Sequence, residues 1–196
     1  MTLNEFCKLK LNDNDYHNII TKDMLTSKVT LLLGPNGSGK SRSLKSLKNE
    51  LSPNAIMFGS KKNNIVELAS NPFDFNSEAI ICAFHSEGEQ IQDSLNYWLQ
   101  QNSDFILNHD GTLYMLIDEL DSGLSYDRLY IHINILLNLI KDLDIKLVLT
   151  CNSYEMYTGF DKDYIQSIWL PTLEYVKLDS YQDFRQLYVD FIKQMT

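Results

Sequence analysis

The sequence predicts an α/β fold in which a mainly parallel β-sheet is flanked by helices. The continuous apolar run Val29–Leu33 indicates a strand that is buried on both faces, as in the centre of a parallel sheet, and further buried strands are predicted at 112–117 and 145–150. Segments with helical spacing of apolar residues alternate with these runs. A glycine-rich stretch, Gly34–Ser41, lies between the first run and a helical segment, where a phosphate-binding loop would lie.

Length, charge and cysteine spacing limit the possible classes of protein. The chain has 196 residues, enough for one domain with a sizeable core, so we expect a single domain over 1–196. A net charge of −9 discourages bulk binding to nucleic acid or to an anionic membrane. Cys7, Cys82 and Cys151 lie far apart, which argues against a disulfide framework or a zinc site. Without a membrane-spanning run or a signal peptide, we expect a cytoplasmic protein with no membrane insertion.

The first 58 residues are expected to contain three kinds of element. Residues 6–11 alternate apolar and polar side chains and, with a short strand at 16–20, predict a short N-terminal antiparallel β element. After the Val29–Leu33 strand and the loop, a helix over 40–51 should bury its leucines. Another short apolar strand is predicted at 55–58.

The stretch from about 59 to 103 predicts a reduced, minimal helical arm. It begins as a polar loop, continues through an apolar run at 79–84 that fits a strand or a helix, and ends in an amphipathic helix over 91–102. The remaining elements are predicted as follows: strand 112–117, helix 126–143 with Ser125 as its cap, strand 145–150, irregular chain over 151–163, strands 164–170 and 174–178, and a last helix that opens with a Ser180–Asp183 capping box.

The loop sequence G-P-N-G-S-G-K-S matches the Walker A pattern in both spacing and context. Its glycines would turn backbone N–H groups inward around phosphate oxygens, and the following helix would direct its positive end at the same anion. Lys40 would contact the β- and γ-phosphates, and the Ser41 hydroxyl would bind Mg²⁺. The alternative is a glycine-rich turn that ends in a chance Lys-Ser pair. The predicted nucleotide-binding residues are Gly34, Pro35, Asn36, Gly37, Ser38, Gly39, Lys40, Ser41 and Arg42.

Asp118 and Glu119 follow the predicted 112–117 strand, at the edge where an open α/β sheet binds its ligands. Asp118 would bind Mg²⁺, directly or through water, as in a Walker B motif. Glu119 would polarise the water that attacks the γ-phosphate, which makes Glu119 and Lys40 the candidate catalytic residues. The alternative is that the two carboxylates simply open a surface loop.

Three stretches resemble the ABC class of P-loop ATPases, in their small non-transporter form similar to SMC- and RecF-like AAA family ATPases. Residues 118–125, D-E-L-D-S-G-L-S, resemble the D-E-P-x-S-G-L-D run of that class, with Leu120 in place of proline and Ser125 in place of aspartate. The loop at 34–41 has the form found in the class. Residues 86–90, S-E-G-E-Q, resemble its signature motif.

The resemblance implies a set of roles for particular residues. Ser86, Gly88, Glu89 and Gln90 would contact, in trans, the ATP held by a second subunit. Asp121, Ser122 and Gly123 would form the D-loop. Asn152 falls at the position of the switch histidine, a departure that bears on the hydrolysis rate more than on ATP binding. No Q-loop glutamine follows the 55–58 strand, and Tyr16 is the candidate for stacking on adenine, although it fits a core or surface tyrosine equally well.

The expected function is that of a soluble ATPase, a hydrolase that uses ATP and Mg²⁺. ATP would join two copies head to tail, and hydrolysis would release them, so that the homodimer acts as a switch or motor for a partner protein. Roles in DNA repair, mobile elements or defence suit such proteins, with nucleic acid reached through the partner. Two alternatives stay open: a nucleotide-gated binding module with little turnover, and the nucleotide-binding subunit of a transporter.

Overall fold

Six strands form one sheet in the computed structural model, which describes residues 20–59, 87–122, 124–161 and 164–195. In spatial order the strands are β2, β3, β4, β1, β5 and β6. Their bounds are β1 Val29–Leu33, β2 Ala55–Gly59, β3 Leu113–Asp118, β4 Ile145–Cys151, β5 Ile165–Trp169 and β6 Glu174–Tyr175.

The first five strands are parallel, and only β6 pairs antiparallel with its neighbour β5. Strand β1 lies between β4 and β5, where Leu33 is opposite both Cys151 and Trp169. Strand β4 in turn separates β1 from β3. Because these strands are parallel, the loops that follow β1, β3 and β4 emerge at the same edge of the sheet.

Helices cover both faces of this sheet. Their bounds are α1 Lys40–Leu51, α2 Glu87–Gln101, α3 Ser103–Asn108, α4 Tyr126–Asp142, α5 Tyr154–Thr158 and α6 Tyr181–Met195, preceded by a 3-10 turn at Lys22–Met24. Successive strand residues point to opposite faces. One face packs against the leucines of α1, and the other packs against α2, α4 and α6. The described residues therefore form an α/β fold in which a mainly parallel sheet is flanked by helices, as predicted.

The central elements agree with the predictions almost residue for residue. Helix α1 has the predicted bounds and buries Leu44, Leu47 and Leu51. The capping box of α6 is reciprocal, because Asp183 N donates to Ser180 Oγ (3.2 Å) and Ser180 N donates to Asp183 Oδ2 (2.8 Å). The structure confirms both predictions. They could be made from the sequence because the signals for each lie within a few neighbouring residues.

Several predicted bounds are wrong. Helix α2 begins at Glu87 rather than 91, helix α3 was not expected, and strand β6 ends at Tyr175 rather than 178. Ser125 is the N-cap of α4, but its hydroxyl makes no cap bond to the helix backbone. It bonds instead to the Asp127 carboxylate and thereby lowers the pKa of that group. The predicted N-terminal β element over 6–19 and the stretch 60–86 lie outside the described residues.

Helix α5 lies within the stretch that was predicted to be irregular. Ser153 caps it by accepting a hydrogen bond from Met156 N at 3.2 Å, and Met156 and Tyr157 are buried. The Tyr157 hydroxyl accepts a hydrogen bond from Leu178 N at 3.0 Å, which ties α5 to the chain leading into α6. This short helix is therefore held mainly by tertiary contacts rather than by its own propensity.

We expect Tyr157→Phe to lower the free energy of unfolding by about 1–3 kcal/mol, because the buried N–H of Leu178 loses its acceptor. The matched control is Tyr175→Phe, whose exposed hydroxyl donates to Met24 O. That change should cost less than about 0.5 kcal/mol. Urea unfolding of both variants measures the difference, and equal costs would contradict the assigned role of Tyr157.

Candidate functional site

The loop between β1 and α1 forms an open cradle. Gly37 and Gly39 have φ angles of 85° and 89°, in the left-handed region that favours glycine. A Cβ added to Gly39 would meet no atom within 4 Å, so the space beside it is open. Gly34 is required for a different reason: a Cβ there would lie 2.5 Å from Ser38 Oγ. The backbone of this loop can therefore approach a ligand closely.

Lys40 lies at the start of α1 and folds back over the loop. Its Nζ donates to Gly34 O (2.5 Å) and to Pro35 O (3.1 Å), and the residue is only 7% exposed. Burial lowers the pKa of the amine, and the carboxylates of Asp121, Asp118 and Glu119 act in the opposite direction. The site thus holds a partly desolvated lysine whose charge attracts anions more strongly than in bulk water.

Asp118 and Glu119 lie where β3 ends. The buried Asp118 carboxylate accepts a hydrogen bond from Thr150 Oγ1 at 3.0 Å. Thr150 Oγ1 in turn accepts a hydrogen bond from Glu119 N at 2.8 Å. Glu119 has a φ of 56°, so the chain turns sharply at this residue. Strands β1 and β3 flank β4, so the backbones from which the loop and the two carboxylates extend lie about 10 Å apart across the sheet.

The D-loop position Asp121 is tied to the switch position within the chain. Its carboxylate accepts hydrogen bonds from Asn152 N (2.8 Å), Asn152 Nδ2 (3.2 Å) and Ser153 N (2.8 Å). Ser122 N continues the turn by donating to Glu119 O. The residue before Asn152 is the buried Cys151, whose pKa is raised by burial and by the negative charge of Asp121. Gly123 lies outside the described residues.

The predicted signature motif lies at the start of α2. Gly88, Glu89 and Gln90 are in the first turn, where backbone N–H groups have no acceptor within the helix, and Ser86 lies outside the described residues. The Glu89 carboxylate forms an ion pair with Arg128 of α4 at 3.1 Å. This contact holds the start of α2 against α4 within one chain.

Thr150 and Tyr188 contact the site and were not predicted. Tyr188 of α6 donates its hydroxyl hydrogen to Gly34 O at 3.3 Å, and its ring lies 5.1 Å from that of Trp169. Burial is the main cause that raises the pKa of Tyr188 to about 12. The sequence indicates only that Thr150 ends a predicted strand and that Tyr188 lies in the predicted last helix. Of the remaining predicted residues, Arg42 is exposed on α1, and Tyr16 lies outside the described residues.

The residues present fit a nucleoside triphosphate with magnesium. The hydroxyl oxygen of Ser38 is buried in the loop and has no hydrogen-bond partner among the described residues. Lys40 supplies a cation over an open cradle. Ser41 at the start of α1 and Asp118 at the end of β3 are oxygen ligands of the kind that Mg²⁺ prefers. Together these groups provide donors for phosphate and acceptors for a hard cation.

No protein-family model and no curated protein matches this chain. Among solved structures, it is similar to C. elegans PCH-2, with a TM-score of 0.38 and 18% identity over 72% of this chain and 34% of that chain. It is also similar to Drosophila ORC bound to AT-rich DNA and Cdc6, with a TM-score of 0.37 and 12% identity over 72% of this chain and 48% of that one. The chain thus spans less than half the length of either.

Within the described part of the chain, no helix combines the length and the apolar character needed to cross a bilayer.

Proposed function

We propose that this protein is a cytoplasmic ATPase of the ABC class that binds ATP with Mg²⁺ and hydrolyses it. One observation carries the proposal: Lys40, Asp118 and Glu119 converge on the edge of the sheet where β4 ends, although they come from separate segments of the chain. The three carboxylates that act on the Lys40 amine belong to β3 and to the turn that follows it. A cation beside a carboxylate pair, over an open glycine cradle, suits phosphoryl transfer to water.

Each residue has a separate task in this proposal. The backbone N–H groups of 37–41 bind the phosphates, and Lys40 exchanges the carbonyl oxygens of Gly34 and Pro35 for phosphate oxygens. Glu119 orients the attacking water and accepts its proton. Magnesium held by Ser41 and Asp118 would neutralise charge on the phosphates. Burial of Lys40 and Asp118 strengthens their interactions because less water screens them.

We further propose that two copies bind head to tail around ATP, so that the signature of one completes the site of the other. The first turn of α2 is a helix N-terminus, where the positive end of the helix dipole suits a phosphate. Just beyond the D-loop, helix α4 exposes Tyr126, Tyr130 and Ile131, which are 59%, 49% and 54% exposed. Large apolar side chains beside this loop support a face that is covered in the assembled state. The dimer would act on a partner protein, through which nucleic acid would be reached.

A second candidate is a nucleotide-gated binding module with little turnover. The observation that favours it is the position of the Asn152 amide, which donates to Asp121 at 3.2 Å. An amide at the switch position can donate a hydrogen bond to the γ-phosphate but cannot carry charge or transfer a proton. In this alternative, ATP closes the dimer and its slow loss opens it.

Multiple-turnover phosphate release by the purified chain, with Mg²⁺ and with EDTA, separates the two candidates. Repeated turnover that requires Mg²⁺ supports the ATPase, and release of one phosphate per site or less supports the binding module.

Mixing two inactive variants tests the shared site. Lys40→Met removes the phosphate contact, and Gly88→Asp places a carboxylate in the signature. A heterodimer of the two has one intact site, so an equal mixture should recover about a quarter of the wild-type rate. Neither variant alone should turn over ATP. Failure to recover activity, with the wild type active, would contradict the shared site but leave the ATPase standing.

A further inference from the structure

Thr150 is a buried polar side chain at the centre of the candidate site. It lies near the end of β4, between the loop that follows β1 and the carboxylates that follow β3, and it is 0% exposed. Its hydroxyl donates to Asp118 Oδ1 at 3.0 Å and accepts from Glu119 N at 2.8 Å. One hydroxyl group thus contacts two adjacent residues of another strand.

The hydrogen bond to Asp118 determines the role of the Thr150 oxygen in the hydrogen bond with Glu119 N. A threonine hydroxyl has a single hydrogen, and that hydrogen is directed at Asp118, so the oxygen is left to accept from Glu119 N. The first bond restricts rotation of the Asp118 carboxylate. The second restricts the peptide group just before the Glu119 side chain. Both groups are therefore oriented by one side chain of β4.

The backbone of Glu119 needs this kind of support. Its φ of 56° lies in the left-handed region, which a residue with a Cβ adopts only where its surroundings hold it there. This conformation decides where the carboxylate points after the strand ends. The bond from Glu119 N to Thr150 is a contact that favours it.

We propose that Thr150 is a positioning residue for ATP hydrolysis, which orients Asp118 toward the metal ion and the Glu119 carboxylate toward the attacking water. The proposal rests on the proposed function. Thr150 acts through Asp118 and Glu119 and does not itself touch the nucleotide. This role also explains why β4 has a buried hydroxyl group. The other buried residues of the strand are apolar or nearly so: Ile145, Leu147, Val148, Leu149 and Cys151.

The test compares Thr150→Val, which keeps the shape but removes the hydroxyl, with Thr150→Ser, which keeps the hydroxyl. We expect Thr150→Val to lower kcat about ten-fold or more and to raise the Mg²⁺ concentration for half-maximal rate several-fold. Its affinity for ATP in EDTA, measured by calorimetry, should stay within about two-fold of wild type because the loop is intact. Thr150→Ser should restore kcat to within about three-fold of wild type.

Thr30→Val is the matched control. Thr30 is a buried threonine of β1 whose Oγ1 accepts from Gln166 Nε2 at 2.8 Å, away from the carboxylates. Its loss should lower stability without changing the Mg²⁺ dependence. If Thr30→Val lowers kcat as much as Thr150→Val does, or if Thr150→Val leaves both kcat and the Mg²⁺ dependence unchanged, the proposal is overturned.

Two further measurements keep the outcome decisive. Should Thr150→Val fail to fold, Thr150→Cys can replace it, because cysteine has about the size of threonine and a weaker hydrogen-bond donor. Its kcat should be lower than that of Thr150→Ser but no more than about ten-fold below that of the wild type. If the wild type itself does not hydrolyse ATP, the ATPase proposal fails separately. Calorimetry then tests the role of Thr150. Adding Mg²⁺ should raise the affinity for ATP several-fold less in Thr150→Val than in the wild type, and Thr30→Val should show the wild-type gain.

Discussion

Glu119→Gln is expected to lower the rate of ATP hydrolysis by about 10²–10⁴-fold while ATP binding persists. The amide keeps the size and hydrogen-bonding oxygen of the carboxylate but cannot accept the proton of the attacking water. The backbone N–H of residue 119 still donates to Thr150, so the turn after β3 should stay in place. Single-turnover and multiple-turnover phosphate release measure the loss, and calorimetry with Mg²⁺ and ATP measures the retained affinity.

Under the proposed function the same variant should accumulate as an ATP-bound dimer, because ATP would join the two copies and the blocked hydrolysis would no longer release them. Light scattering on a sizing column, with and without ATP, gives the mass. Glu50→Gln is the matched control, since Glu50 is exposed on α1 and its Oε1 accepts from Lys22 N, a bond that glutamine can also make. A Glu119→Gln chain that stays monomeric with Mg²⁺ and ATP would contradict the dimer, and one that hydrolyses ATP at the wild-type rate would contradict the role of Glu119.

Lys40→Met should abolish turnover, by about 10²–10³-fold or more, because it removes the cation that stabilises charge on the transferred phosphoryl group. Methionine retains much of the apolar stem of lysine, so the start of α1 should remain packed. ATP affinity should also fall, which distinguishes this variant from Glu119→Gln. Calorimetry and phosphate release on the two variants test the contrast, and an unchanged affinity would show that Lys40 does not contact the phosphates.

Lys40→Met should also change how stability depends on pH. Burial lowers the pKa of Lys40 below 10.5, so between the lowered value and 10.5 the unfolded chain holds a proton that the folded chain has released. In that window the folded wild type gains stability as pH rises, whereas at neutral pH, with both states charged, the cost of burying the charge is fully present. Urea unfolding at about pH 8 and about pH 10 should therefore show wild type gaining relative to Lys40→Met. A constant difference between the two would contradict the shift.

The sequence was sufficient for the parts of the fold that are specified locally. The mainly apolar sequences of β1, β3 and β4 predicted these strands, and the loop pattern at 34–41 predicted helix α1 and the position of Lys40 at the edge that also holds Asp118 and Glu119. Each of these signals lies within a few neighbouring residues.

The contacts that complete the candidate site join residues that are far apart in the chain. Thr150 is 32 residues from Asp118, Arg128 is 39 from Glu89, and Tyr188 is 154 from Gly34. No periodicity or spacing encodes such pairs, because they depend on how the strands are ordered in space. Helix α5 is a different case, because its five residues are too few for a periodic pattern.

The carbonyl oxygen of Gly34 has two donors, the Lys40 amine and the Tyr188 hydroxyl. A buried acceptor that loses its only donor costs about 1–3 kcal/mol. Under the proposed function Lys40 would turn from this carbonyl to a phosphate, and Tyr188 would still donate to it, so nucleotide binding would leave no unsatisfied acceptor at Gly34. Helix α6 would thereby lower the free energy that this movement of the lysine requires.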